Sequence, residues 1–493
     1  MKVKIGSSKL VKPFYEGNPP PITDYTPLSV FDKVTYNQHE ANICAYKHPT
    51  PPNAIIELGL RKTMAAYREC AGRLGIDGNG EPIILLNDEG VRFVEASVDH
   101  PLNETVHFQS SPTLLSLHPS LEGVVELFQV QVTRFSCGSM VVGFTVHHLV
   151  ADGYAMRNFL IAWGEACRGL DINPLPFRDR TIFSPRNPPK FEFEHRGVEY
   201  ITKNLEKVFP IIDNNVEDIV VHKVHYSKEF LSKLKARASS MNGTNKPFST
   251  FESLVAHLWR AITKARGLNG FETTQVRIPV DGRYRLNPRV PNEYFGNLVL
   301  WAFAGAKVDN LLREPLSYAA KLLHEAVMKV DDSYFKSFID FANYKVKEED
   351  LVPSAMPDTK ESILWPNLEV ASWLRFPCYD LDFGGGGPYI FTPSSPIEGM
   401  IFLLPSFTRD GSIDVLGHVG LLISILVLWF IWSLRDEVKY NVGKFPTTET
   451  VCVSAYAVVV QGAAGSGGLL QGLARQVVVA FYEFRGARTN VFA

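Results

Sequence analysis

The sequence predicts a mixed α/β (α+β) protein with two domains of similar size. The chain has 493 residues, of which 45% are hydrophobic and 21% are charged, and it is long enough for two complete cores. Strand-like and helix-like patterns alternate along both halves. Between the halves, residues 171–220 are rich in Pro, Arg, Asp and Asn and show little periodicity, which is typical of a long crossover. We therefore predict domains over residues 1–180 and 221–415, a crossover over 181–220 and a separate tail over 416–493.

The first half begins with a weakly alternating strand over residues 3–11, followed by a Pro-rich connection and a short apolar turn, PLSVFDKV. Residues 57–74 carry apolar side chains at a three-to-four spacing, which predicts a helix with one buried face. IILLND and VRFVEAS then predict two strands. In QVTRFSCGSMVVGFTVHHLVADG, residues 131–153, we predict two buried strands around a tight turn at Cys137 and Gly138, and a helix that begins after Asp152.

The second half begins with a strand over Ile219–Tyr226 and a helix that starts near Ser227. A second helix opens with a capping box from Ser249 to Glu252. We predict strand, polar loop and strand over residues 276–303, a helix over 316–330, and strand and loop segments over 370–413. The glycine run in YDLDFGGGGPYIF lacks the Gly-Lys-Ser/Thr ending of a phosphate loop and opens no helix, so it favours a sharp turn over a nucleotide site.

The pair His148 and Asp152 is the leading candidate for a functional site, because it lies where two buried strands meet a helix. Of the 13 histidines, only His148 has an aspartate four residues later. The imidazole could be a general base. The pair could instead bind a metal, but no third ligand stands at a diagnostic spacing. A core histidine beside a helix N-cap aspartate is equally compatible with the local sequence.

Composition and charge exclude several classes of protein. The net charge is −2, with no basic excess that would indicate nucleic-acid binding. The six cysteines form no Cys-x-x-Cys pair, and the basic N-terminus has no apolar core behind it, so we expect a cytoplasmic protein rather than a secreted one. The chain has no Gly-x-Ser-x-Gly motif for a hydrolase serine.

Taken together, several segments over roughly residues 1–415 resemble the plant BAHD acyl-CoA-dependent acyltransferases. In chain order they are PLSVFD, YRECAGRL, the stretch with His148 and Asp152, STFESLVAHLWRA, VDGRYRLNPRVPNEYFGN, DFGGG and PSFTRDGSIDV. The resemblance implies two chloramphenicol-acetyltransferase-like domains with a channel between them, entered by CoA from one face and by the acceptor from the other. It also implies a monomer that uses acyl-CoA as a co-substrate and needs no bound cofactor or metal.

The resemblance assigns roles within the His-x-x-x-Asp motif. His148 corresponds to the general base. Asp152 corresponds to a structural aspartate turned away from the channel toward an arginine, for which Arg283 in VDGR is our candidate. From the residues alone, Asp152 would instead orient His148. The side chains that contact CoA are not assigned.

The second family motif departs from its usual form, DFGWG. Here the turn consists of Asp382, Phe383, Gly384, Gly385 and Gly386, so the tryptophan is missing. DFGGG is similar to the version in grass enzymes that acylate agmatine, putrescine or tryptamine with hydroxycinnamoyl groups.

An amine acceptor is also suggested by Glu369, which stands where many ester-forming relatives have a small residue. A carboxylate at the acceptor channel would suit a cationic amine, but Glu369 could equally be a solvated loop residue. An O-acyltransferase with an alcohol acceptor is the nearest alternative function. The motif around His148 is also similar to that of peptide-synthetase condensation domains, although no carrier segment accompanies it.

The tail is the least typical part of the chain. Residues 416–434, LGHVGLLISILVLWFIWSL, form an apolar run just long enough to span a bilayer. Three accounts stay open: an unusual splice or gene-model product, a membrane anchor, or a segment packed on the core. If the family's last strand were missing, a sheet edge would be left open. An inactive, membrane-attached derivative of the enzyme is therefore a further alternative.

Overall fold

Two mixed six-stranded sheets form the framework of the protein. The computed structural model describes residues 2–102, 112–173, 175–202, 219–240, 246–354, 366–376, 378–394 and 397–420. The predicted α/β class is confirmed. Residues 203–218 of the crossover and residues 421–493 of the tail, with most of the apolar run, lie outside the described residues.

The strands of the described residues, in chain order, are β1 (Lys4–Val11), β2 (Tyr25–Pro27), β3 (His39–Tyr46), β4 (Arg73–Ile76), β5 (Pro82–Leu85), β6 (Val91–Val98), β7 (Phe128–Phe135), β8 (Met140–His147), β9 (Tyr200–Thr202), β10 (Ile219–Tyr226), β11 (Thr273–Asp281), β12 (Val299–Lys307), β13 (Leu351–Pro353), β14 (Leu368–Ser372), β15 (Ile390–Pro393), β16 (Met400–Pro405) and β17 (Ile413–Gly420).

The α-helices of the same residues are α1 (Val30–Lys33), α2 (Asn53–Ala66), α3 (Pro112–Leu115), α4 (Gly153–Cys167), α5 (Lys228–Ser239), α6 (Thr250–Ala265), α7 (Val308–Arg313), α8 (Leu316–Lys329) and α9 (Asp332–Glu348).

The first sheet has the strand order β1-β6-β7-β8-β3-β15 and carries the His-x-x-x-Asp segment. Strands β7 and β8 form the predicted hairpin, and Gly138 takes the positive φ of +79° that its turn requires. Every residue of β8 is buried, as the continuous apolar run predicted. Helices α2 and α4 pack together on this sheet, and Trp163 of α4 donates to the backbone oxygen of Ile56 at 2.9 Å.

The outermost strand of the first sheet comes from the second half of the chain. Ile390–Pro393 of β15 pairs antiparallel with Asn42–Ala45 of β3. The predicted division at residues 181–220 therefore does not separate the two sheets completely. Strand pairing over such a distance leaves no trace in a local hydrophobic pattern.

The second sheet has the strand order β10-β17-β16-β14-β11-β12. Its strand β17 pairs with β10 from Ile413 to Gly420 and also with β16. The predicted boundary at residue 415 therefore falls inside a strand. The first five residues of the apolar run, 416–420, belong to this strand, so the sheet is not left open at this position. No helix among the described residues has both the length and the apolarity to cross a membrane.

Two helix predictions differ from the structure. The helix predicted over residues 57–74 is α2, which begins at Asn53 and ends at Ala66, because a 3₁₀ turn over Arg68–Ala71 and strand β4 follow it. Helix α9 was not predicted, although Asp331 caps it by accepting from the amide of Tyr334 at 3.0 Å.

Candidate active site

His148 lies directly after β8, at the junction of the two sheets, and its side chain is partly exposed. Its amide donates to the backbone oxygen of Gln38 at 2.9 Å. On the ring, Nδ1 lies 3.0 Å from Oγ1 of the buried Thr35. The ring of Tyr36 stands edge-on to the imidazole, with 5.8 Å between centroids. Nε2 makes no hydrogen bond with the described residues, so it is the nitrogen that is free to meet a substrate.

Asp152 points away from His148. Its Oδ1 caps helix α4 by accepting from the amide of Ala155 at 2.8 Å, and its Oδ2 accepts from the amide of Leu298 at 2.9 Å. Arg283 donates to both oxygens, at 2.8 and 3.1 Å, and both side chains are almost fully buried. The structure thus brings Asp152 together with Arg283, and the alternative in which Asp152 orients His148 is wrong.

The same geometry bears on the metal interpretation of the pair. The imidazole meets Thr35 and the carboxylate meets Arg283, so His148 and Asp152 do not converge on one point as two ligands would. Within the described ranges, no group of three His, Cys, Asp or Glu side chains is placed to hold a metal ion.

The backbone of His148 is held by Asn297, which belongs to the quoted segment EYFGN. Asn297 donates from Nδ2 to the carbonyl oxygen of His148 at 2.9 Å and to Oδ1 of Asp32 at 3.0 Å. Asp32 is fully buried and also accepts from Arg180 at 3.4 Å. Sequence reasoning did not single out Asn297 or Asp32 as site residues, because their contacts join segments far apart in the chain.

Glu369 lies on β14 and is 4% exposed, so the interpretation as a solvated loop residue is wrong. Tyr36 donates to its Oε2 at 2.7 Å. Arg277 of β11 approaches the same oxygen at 3.5 Å and stacks on Trp301, with 4.1 Å between the guanidinium carbon and the ring centroid. Glu369 is therefore linked through Tyr36 to the neighbourhood of His148, and it already has a cation beside it.

A second acidic side chain, Glu40 of β3, lies close to His148. It accepts from Nε2 of Gln38 at 2.9 Å. Burial raises the pKa of Glu40, the interaction with His148 opposes that rise, and Glu369 adds to it. Burial also lowers the pKa of the neighbouring His147 to about 3, so that this ring is neutral at physiological pH. His148 is thus the partly exposed imidazole of the pair.

The DFGGG turn packs on the far end of α4. Oδ1 of Asp382 accepts from the amides of Gly384 and Gly386 at 2.7 and 2.8 Å. Asp382 also pairs with Arg168 at 3.6 Å, and Phe383 packs edge-on to Trp163 at 4.7 Å. Since α4 begins at Gly153, this end of the helix is about 16 Å further along its axis.

A side chain has no room at the position of the family's tryptophan. A Cβ atom on Gly385 would lie 2.3 Å from the carbonyl oxygen of Pro49. The backbone passes too close for any residue larger than glycine, and this explains the departure from DFGWG. The turn is therefore held by contacts within itself and with the C-terminal half of α4.

An apolar cavity of about 80 Å³ opens beside the N-terminal end of α4. Four aromatic side chains line it, namely Phe144, Trp373, Phe376 and Phe391. Two polar groups in the lining, Oδ1 of Asn42 and Nε of Arg157, are buried and have no hydrogen-bond partner within the part of the chain that the structure describes. Unsatisfied polar atoms in an apolar cavity are costly unless a ligand or water reaches them.

Ser337, His195 and Glu199 form a hydroxyl–imidazole–carboxylate chain that looks like a nucleophile triad. Nε2 of His195 lies 3.2 Å from Oγ of Ser337, and Nδ1 lies 2.9 Å from Oε2 of Glu199. All three side chains are buried, and Oγ of Ser337 already accepts from the amides of Glu192 and Phe193 at 3.1 Å each. These hydrogen bonds thus anchor the crossover to α9. The buried hydroxyl of Ser337 is not accessible as a nucleophile.

Comparison with known proteins adds three findings. A sequence model of the family described as "Transferase family" matches residues 1–420. The chain is 50% identical over 430 residues to agmatine hydroxycinnamoyltransferase 1 of Oryza sativa subsp. japonica, covering 84% of this chain and 95% of that protein. It is 49% identical over 424 residues to agmatine coumaroyltransferase-1 of Hordeum vulgare, with the same coverage.

Among solved structures, that of vinorine synthase is similar, with a TM-score of 0.65, 21% sequence identity, and coverage of 86% of this chain and 96% of the other. At that identity the likeness establishes the fold. The family match ends at residue 420, where β17 also ends.

Proposed function

Because the chain belongs to the Transferase family, that of the BAHD acyltransferases, we propose that it transfers a hydroxycinnamoyl group from its CoA thioester to an amine such as agmatine. The observation that carries this proposal is the position of His148: none of the described residues bonds its Nε2, and the adjacent Tyr36 donates to the buried Glu369. The names of the rice and barley relatives support the acceptor class. We further propose a cytoplasmic monomer with acyl-CoA as co-substrate.

His148 acts as the general base. Its Nε2 takes a proton from the amine as the nitrogen attacks the thioester carbonyl. The tetrahedral intermediate collapses, the C–S bond breaks and CoA leaves as a thiolate, which recovers the proton from the imidazolium. Asp152 takes no proton, because Arg283 holds both of its oxygens.

The amine should impose an alkaline rate optimum. An alkylammonium has a pKa near that of lysine, ~10.4, and only its neutral form can attack, so formation of the nucleophile by loss of a proton to solvent costs roughly 5 kcal/mol at neutral pH unless the site depresses that pKa. A flat or acidic profile of kcat/KM with agmatine would count against attack by a free alkylamine.

The acceptor binds beside Tyr36 and Glu369. Agmatine carries a guanidinium that can donate two hydrogen bonds to one carboxylate, and Oε1 of Glu369 has no hydrogen-bond partner among the described residues. Arg277 already partly neutralises this carboxylate, so the attraction is weaker than that of an isolated charge. The site accordingly favours a long acceptor with a second donor group over a short amine.

The acyl group binds in the aromatic cavity. Two segments of chain connect the surroundings of His148 and Tyr36 with this cavity. On β3, Glu40 lies near His148 and Asn42 lines the cavity. On β14, Glu369 accepts from Tyr36, and Trp373, directly after the strand, lines the cavity. A phenolic hydroxyl can donate to Oδ1 of Asn42, for which the described residues offer no partner. The hydroxyl-bearing edge of a hydroxycinnamoyl ring would thus satisfy a buried acceptor.

The test of the acceptor assignment is Glu369→Gln, assayed with p-coumaroyl-CoA and either agmatine or tryptamine. We expect kcat/KM for agmatine to fall at least tenfold and that for tryptamine to change little, since tryptamine has no guanidinium. Glu398→Gln is the matched control, because Glu398 is also buried and pairs with an arginine, Arg266, at 2.6 Å outside the site. An equal loss for both amines would remove the charge-recognition argument, and faster turnover of an alcohol would favour ester formation.

A further inference from the structure

No carboxylate of the described residues bonds Nδ1 of His148, although a general base of this kind usually has a group that fixes its tautomer. Asp152, the acidic residue of the motif, is committed to Arg283. The group on Nδ1 is instead the hydroxyl of Thr35, at 3.0 Å and 4% exposed. Thr35 is not part of the His-x-x-x-Asp motif, since it lies 113 residues before His148.

Thr35 is held firmly in place. It follows α1, whose N-cap Ser29 and Asp32 form a complete capping box. Asp32 accepts from both the amide and Nδ2 of Asn297, at 2.7 and 3.0 Å, and Asn297 in turn donates to the carbonyl oxygen of His148. The same short segment thus fixes the ring of His148 through Thr35 and its backbone through Asp32 and Asn297.

We propose that Thr35 is a positioning residue for the reaction: its hydroxyl accepts from Nδ1–H of His148 and thereby keeps Nε2 unprotonated and aimed at the acceptor amine. This inference rests on the proposed function. Once Nε2 has taken the proton, the imidazolium still donates from Nδ1 to the same oxygen, so the contact persists through proton transfer.

The other groups around the ring fit this assignment. His147, on β8, is neutral because burial lowers its pKa to about 3. Tyr36 stays protonated, because burial and Glu369 raise its pKa. Glu369 and Arg277 form a pair beyond Tyr36. Glu40 on β3 is the remaining acidic side chain near the ring; burial raises its pKa, and the interaction with His148 opposes that rise.

The test compares Thr35→Val with Thr35→Ser and with Thr63→Val, a control that removes a buried threonine hydroxyl bonded to Gly59 inside α2. For Thr35→Val we expect kcat to fall about tenfold to a hundredfold, the range for one hydrogen bond to a charged group. The acidic limb of the kcat/KM profile should move to lower pH, because the imidazolium loses the oxygen to which Nδ1–H donates. In Thr35→Ser, which keeps the hydroxyl, kcat and the position of the acidic limb should be close to those of the wild type. Thr63→Val should change neither kcat nor the acidic limb.

Nitrogen NMR of ¹⁵N-histidine-labelled protein gives the direct readout, with His148→Gln used to assign the signal. At high pH we expect the Nδ1–H tautomer in the wild type and a rise of the Nε2–H tautomer in Thr35→Val. An Nε2–H tautomer in the wild type, or a loss of kcat without movement of the acidic limb, would overturn the inference. If His148→Gln keeps its acyltransferase activity, the proposed function fails. If His148→Gln is inactive and Thr35→Val keeps full activity, the proposed function stands and the role of Thr35 as a positioning residue is wrong.

Discussion

Removal of the charge on Asp152 should lower the free energy of unfolding strongly and should change kcat of the folded protein little. Asp152 accepts four hydrogen bonds, from the amides of Ala155 and Leu298 and from two nitrogens of Arg283, at 2.8 to 3.1 Å. Loss of one partner from a buried ion pair typically costs ~3 to 5 kcal/mol, and loss of an N-cap costs ~1. Since these contributions overlap, we expect Asp152→Ala to lower the free energy of unfolding by ~4 kcal/mol and Asp152→Asn by ~2.

Urea unfolding and turnover of p-coumaroyl-CoA with agmatine measure the two effects separately. The folded fraction of Asp152→Asn should keep a kcat within about fivefold of the wild type. Asp152→Ala combined with Arg283→Met should recover part of the lost stability, because no unpaired charge then stays buried. Asp281→Asn is the control, since Asp281 also touches Arg283, at 3.1 Å, but is more exposed. A loss of kcat on the order of 10⁴-fold at normal stability would show that Asp152 orients the base after all.

Two further predictions concern stability. Burial lowers the pKa of His257 and His418 to about 4. Below pH ~6.5 these rings therefore gain protons when the protein unfolds. Their contribution to the free energy of unfolding is fully present above pH ~6.5 and is lost progressively as the pH falls toward 4. His257→Phe should make the urea midpoint fall less between pH 7 and pH 5, and an unchanged fall would refute this. Gly385→Ala should cost ~1 to 3 kcal/mol through its clash with Pro49. Gly78→Ala, which meets nothing within 4 Å, should stay within ~0.5 kcal/mol, and equal effects of the two changes would contradict the packing argument.

Local patterns predicted the elements that depend on local physics. The strand over Ile219–Tyr226, the cap at Ser227 and the capping box from Ser249 to Glu252 all lie where the sequence indicated. Helix α9 carries the same kind of signal, a cap at Asp331 and apolar spacing over residues 331–341, and is a local element that these patterns can predict. The helix predicted over residues 57–74 was too long, because apolar spacing continued into a 3₁₀ turn and a strand.

Contacts across the chain could not be predicted in this way. Nothing near Ile390 indicates that it pairs with Ala45, which belongs to the first half of the chain. The charge of Glu369 was noted, but its partner Arg277 lies on a neighbouring strand, and the pairing is set by sheet register. Thr35 likewise carries no sequence signal, because a threonine after a short apolar helix is unremarkable until the fold brings His148 to it.

Single turnover of His148→Ala with p-coumaroyl-CoA and agmatine tests the central claim most directly. Amide formation, followed by loss of thioester absorbance, should fall ~10²- to 10⁴-fold, as expected when a general base is removed. CoA binding and the urea midpoint should stay close to those of the wild type, because the side chain of His148 is partly exposed and bonds only Thr35 among the described residues. Turnover within a few-fold of the wild type would contradict the assignment of His148 as the base.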